Sequence, residues 1–113
     1  MSTAAILYYV NPMTMVQATI GQNFSFIEGE THKEIFSFAV DATTEEAKLQ
    51  VLSDTFRRFN SDENPLSTDD MQNRILELGL RHTSMSCGDI VRFTNPEGKS
   101  EYWLCAPRGW KLI

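Results

Sequence analysis

The sequence predicts an α+β fold, a mainly antiparallel sheet with two helices packed on one face, and two observations carry that prediction. Apolar, β-branched and aromatic residues cluster in strand-like runs toward both ends of the chain, and the apolar spacing becomes helical across the middle. Strands, then helices, then strands again is the order expected when helices gather on one side of an antiparallel sheet.

Ala4 to Val10 is a continuous apolar run closed by Asn11-Pro12, where proline cannot extend a sheet ladder, so a buried strand is expected. Val16 to Ile27 has β-type composition, with Phe24 and Phe26 on one face and Gly21-Gln22-Asn23 between, which predicts a hairpin turning near Gly21. After the polar break Gly29-Glu30-Thr31-His32, Glu34 to Val40 alternates loosely and places Phe36, Phe38 and Val40 on one side of a third strand. From Asp41 to Asn60 the spacing is helical: Thr43 and Glu46 have capping-box spacing, and Ala47, Val51, Leu52, Phe56 and Phe59 form the apolar stripe. Ser61 to Pro65 is turn chemistry, and Ser67 with Asp70 marks a second helix start, running to about Leu78 with Gly79 as its stop. Period two returns in Ile90 to Phe93, then Asn95-Pro96-Glu97-Gly98 turns the chain into Tyr102 to Cys105, a hairpin. Pro107-Arg108-Gly109 turns it once more, and Trp110 to Ile113 adds a short last strand.

At 113 residues, 42% of them hydrophobic and 22% charged, the chain fits one α+β domain spanning residues 1–113 that folds without staples. The net charge of −5 is unevenly placed: Met1 to Lys48 holds two lysines against six acids, and Arg81 to Ile113 holds five basic residues against three acids. That C-terminal excess is too small to mark a nucleic-acid binder by itself. The Ile6 to Val10 run is too short to span a bilayer and lacks a basic leader, and two cysteines are too few for a disulfide scaffold, so a cytoplasmic protein without membrane association is expected.

No cofactor, metal or catalytic site is expected. His32, His82, Cys87 and Cys105 have no zinc-site spacing. Cys87 with His82 as base lacks a third group to orient the pair, and an inert buried cysteine is the commoner state. Cys87 and Cys105 flank the predicted hairpin almost symmetrically, so turn length decides whether they meet.

Two binding surfaces are possible from residue type. Glu28, Glu30 and Glu34 with Asp62, Glu63, Asp69 and Asp70 offer carboxylates to a basic partner; against that, Asp69 and Asp70, like Glu45 and Glu46, suit a helix first turn. Arg92, Lys99, Arg108 and Lys111, interleaved with Tyr102, Trp103 and Trp110, offer cations and stacking rings to nucleic acid; against that, large tryptophans in a small domain belong in its core.

Phe56-Arg57-Arg58-Phe59-Asn60, Ser84-Met85-Ser86-Cys87-Gly88-Asp89-Ile90-Val91, the pair Tyr102-Trp103 and the ending Gly109-Trp110-Lys111-Leu112 together resemble the YodL-like domains of plasmid and phage proteins. The resemblance spans roughly Val51 to Ile113. Where that family often carries an aspartate before the final glycine, this chain has Cys105-Ala106-Pro107-Arg108, so no role tied to that acid transfers. The resemblance implies a mobile-element setting, sometimes beside anti-restriction and other polyvalent modules, and no established reaction. The expected function is a non-enzymatic module that binds a host protein such as a defence component; the alternative is a nucleic-acid-binding domain using the C-terminal hairpin. The Ser84 to Asp89 motif also makes sense as a specified corner, with serine and aspartate bonding nearby amides and Gly88 allowing the bend.

Overall fold

The computed structural model describes residues 2–20 and 26–113, without the side chains of 18–20. Five strands, β1 (Ser2–Tyr9), β2 (His32–Val40), β3 (Ile90–Thr94), β4 (Ser100–Ala106) and β5 (Gly109–Leu112), form one sheet in the order β2-β1-β3-β4-β5, each neighbouring pair antiparallel. Three helices, α1 (Pro12–Ile20), α2 (Glu45–Phe59) and α3 (Asp69–Glu77), and a short 3₁₀ turn at Pro65–Ser67 complete the described residues. The α+β architecture expected from the sequence is thus present, with one helix more than expected.

That extra helix corrects the expected Val16 to Ile27 hairpin. Asn11 starts α1, its side-chain oxygen accepting from Met13 N–H at 2.9 Å and its carbonyl from Thr14 N–H at 2.8 Å, and Pro12 occupies the first helical position, where a missing N–H costs nothing. Local capping outweighed the β-type composition of the segment. The proposed turn at Gly21 to Asn23, and Phe24 with it, lie outside the described residues.

Register explains β2. Ile6 pairs with Phe36 and Leu7 with Glu34, so Ile35 is an inserted residue, a bulge, and it is buried while Phe36 and Phe38 are only half-buried. A simple alternation over Phe36, Phe38 and Val40 therefore misses the innermost side chain of the strand.

Both helices expected from the sequence start one residue later than their signals suggest. Thr44, not Thr43, caps α2, its hydroxyl accepting from Ala47 N–H at 3.1 Å, and Thr68, not Ser67, caps α3, accepting from Met71 N–H at 3.3 Å. Ser67 instead closes the 3₁₀ turn, where Asn64 Oδ1 accepts from Leu66 N–H. Gly79 ends the α3 region at φ +74°, as expected.

Alternation along β1 divides the core. Ala4, Ile6 and Tyr8 join Val91, Phe93 and Trp103 beneath Leu52 and Phe59 of α2, Leu66 of the 3₁₀ turn and Ile75 of α3. Each fully buried large side chain here is worth roughly 1.5–3 kcal/mol. On the opposite face Leu7, Ile90 and Leu104 form a smaller cluster under Phe26 and Tyr102. The α2 stripe is Leu52, Thr55 and Phe59, and Phe56 turns outward at 39% exposure.

Candidate functional site

The Ser84 to Asp89 corner is where chain segments distant in sequence converge. Asp89 N–H donates to Ser86 O at 3.1 Å, closing a turn whose third residue, Gly88, has φ +100°. Gly88 N–H then donates to Cys105 O, and Cys105 N–H to Asp89 O, both at 2.8 Å, so Gly88 and Asp89 together oppose Cys105 in a glycine bulge. Only glycine fits: besides its positive φ, an added Cβ would lie 3.0 Å from Met15 Cα of α1.

Asp89 is fully buried, and its carboxylate accepts from Tyr9 N–H at 3.0 Å and Ser86 N–H at 2.8 Å. His82 Nε2 lies 3.0 and 3.1 Å from its two oxygens, while the imidazole is stacked between Tyr8 and Tyr9 with centroids 4.3 and 4.1 Å away. Burial pushes the Asp89 carboxyl above the usual range, and the His82 contact and the two backbone amides pull it back. With Nε2 turned to the carboxylate, the other ring nitrogen, Nδ1, is buried and has no partner among the described residues.

His32, at the start of β2, is buried, and its Nε2 donates to Gly88 O at 2.6 Å while Nδ1 faces the Thr31 hydroxyl at 2.9 Å. A carbonyl can only accept, so Nε2 carries the proton. Burial holds the His32 pKa below its ordinary value, against the pull of the Gly88 bond.

The nucleophile idea, Cys87 with His82 as base, finds no contact between the two among the described residues; Cys87 instead shares the lining of one pocket with Cys105. Both cysteines thus lie at the open end of the hairpin, on either side of the Gly88 N–H to Cys105 O bond. No group of three or more potential metal ligands occurs among the described residues.

The acidic set divides. Arg92, at the centre of the sheet's second face, pairs with Glu28 and, at 2.7 Å, with Glu34. Glu30 is exposed in the loop beside them. Asp62, Glu63, Asp69 and Asp70 are all exposed around the 3₁₀ turn, and none forms an ion pair among the described residues. Nearby Arg57 is engaged by Asp54 at 2.6 Å.

The basic and aromatic set divides differently. Lys99, Arg108 and Lys111 are exposed. Arg92 is neutralised by its two glutamates, Trp103 is buried with its indole N–H donating to Glu101 at 2.8 Å, and Tyr102 is half-buried against Phe26. Three exposed cations remain, and Trp110, the third ring of the set, is half-buried against the main core.

Sequence reasoning identified the Ser84 to Asp89 corner but missed what it ties together. Tyr9, His32 and Met15 reach it from far along the chain, and no local pattern signals such contacts. No family model, no curated protein and no solved structure matches this chain.

Proposed function

We propose that this chain is a non-enzymatic interaction module that binds a basic surface on a host protein, such as a defence component, through the acidic corner between α2 and α3. The observation that carries the reading is the gathering there of four exposed carboxylates, Asp62, Glu63, Asp69 and Asp70, with no ion pair among the described residues. Glu28 and Glu34 take a second part, since their charge is already offset by Arg92, and Glu30 extends the rim. Exposed charges of this kind steer encounter and fix register more than they add affinity. The resemblance to YodL-like domains supports a mobile-element setting, and a chain with two cysteines suits a reducing compartment such as the cytoplasm; no described helix is long and apolar enough to cross a membrane.

The test is capture of partners from host lysate by the tagged protein, with and without nuclease. A stoichiometric host protein retained after nuclease, released as salt rises, and weakened by Asp62→Asn with Glu63→Gln supports the reading. These two positions are the cleaner choice, because Asp69 and Asp70 also stabilise the first turn of α3 by about 0.3–1 kcal/mol each. Capture that vanishes with nuclease, or ignores the acidic changes, overturns it; nuclease-sensitive capture lost on reversing Lys99, Arg108 and Lys111 transfers the function to nucleic acid.

A further inference from the structure

Away from the acidic corner, the sheet builds a setting for two thiols. Cys105 lies in β4 opposite Trp110 of β5, and the Gly88–Asp89 bulge grips its backbone by two 2.8 Å hydrogen bonds. Cys87 immediately precedes that bulge, whose Gly88 N–H bonds Cys105 O, so the turn holds Cys87 close to Cys105, and both cysteines line one pocket. A pocket of about 240 Å³ opens over the pair, walled by Phe56, Pro107 and Trp110. The exposure of Phe56, which leaves the helix stripe to line this pocket, gives an apolar wall to whatever enters.

We propose that Cys87 and Cys105 form a redox-active dithiol that closes to a disulfide by exchange with a low-molecular-weight disulfide entering this pocket. The Cys87 thiolate attacks one sulfur of the small disulfide, that S–S bond breaks, and one small thiol leaves with a proton. Cys105 then loses its proton, attacks the Cys87 sulfur and expels the second small thiol, which takes up a proton. Two protein thiols are oxidised and one small disulfide is reduced to two thiols.

The order follows from access. Cys87 is half-buried and Cys105 is buried. Burial, followed by the nearby Cys87 and Asp89 charges, pushes the Cys105 thiol up to about 12, so its thiolate is scarce at neutral pH. Closure is the slow step, and it accelerates about tenfold per pH unit as the Cys105 thiolate becomes available.

The full wild-type chain is incubated with excess oxidised glutathione from about pH 7 to about pH 9, quenched with acid, alkylated and mapped by peptide mass spectrometry. The expected result is a glutathione adduct at Cys87 that gives way to a Cys87–Cys105 disulfide, faster at higher pH. In C105A the adduct at Cys87 persists, and in C87A the folded protein leaves Cys105 reduced. The proposal is overturned if both wild-type thiols stay reduced while the urea-unfolded chain oxidises, if Cys105 is modified first, or if Cys87 is modified without closure. The wild-type arm decides the matter even where a variant folds poorly.

Discussion

Asp89 is the residue on which most depends. Its carboxylate holds the end of β1 through Tyr9 N–H, the turn through Ser86 N–H, and the imidazole of His82. Asp89→Ala leaves buried donors without acceptors, and a loss of roughly 3–5 kcal/mol is expected, read as a lower urea midpoint. His32 sets the pH response. Its folded pKa lies below the unfolded value of about 6.5, so the stability it contributes is complete above that value and is lost as pH falls toward the folded one. Asp89 acts with opposite sign: its raised folded pKa makes its contribution greatest below the unfolded value of about 3.9 and erodes it as pH rises through the folded one. Because Asp89 is common to both proteins, urea unfolding between about pH 6.5 and about pH 5.5 should show the wild type losing more stability on acidification than His32→Gln, whose amide can still donate to Gly88 O. Identical pH slopes in the two proteins would remove His32 from the pH response. The corner was legible because serine, glycine and aspartate act on neighbouring backbone; the roles of His32 and Tyr9 were not, because their partners are supplied by the fold.

Capping decides the elements. Thr43 and Thr44 are adjacent, and only the second bonds into α2, so Thr44→Ala should cost about 1 kcal/mol and Thr43→Ala less than about 0.5 kcal/mol, measured by thermal or urea unfolding. Equal losses would place the cap elsewhere. Gly88→Ala meets both a φ of +100° and Met15 Cα at 3.0 Å, so it should cost more than about 1 kcal/mol and disturb α1, visible in amide exchange of Met13 to Gln17. The α2 and α3 helices and the C-terminal hairpin were readable because each carries several apolar residues at one period and a turn signal at its end. The α1 helix was not, because a nine-residue element with no charged first or last turn offers little beyond Asn11 and Pro12, and β-type residues compete with that signal. The β2 bulge was hidden for another reason: the insertion of Ile35 is a property of pairing with β1, and one strand read alone shows no register.

At the scale of the molecule, the radius of gyration is 13.4 Å, close to the ~13 Å expected for a compact chain of this length, so charge is displayed on a small body with little screening by distance. A partner held by the acidic corner should be released as ionic strength rises, because the Debye length shrinks from about 10 Å at 0.1 M to about 3 Å at 1 M. Titrating salt against retention checks this, and salt-independent retention would point to an apolar contact. The net charge was readable in the sequence, but its sorting was not: Glu28 and Glu34 became partners of Arg92 only when β1 brought β2 and β3 to its two sides. That position of β1 has a consequence for how the protein is made. Thr3 pairs on one side with Ala39 and on the other with Thr94, so as the chain leaves the ribosome the β1–β2 pair can form early while the far edge of the most apolar strand waits until β3, some fifty residues beyond β2, has been synthesised. During that interval an open, hydrophobic strand edge is available to other nascent chains, and chaperone protection should matter more for the yield of this protein than its modest size suggests.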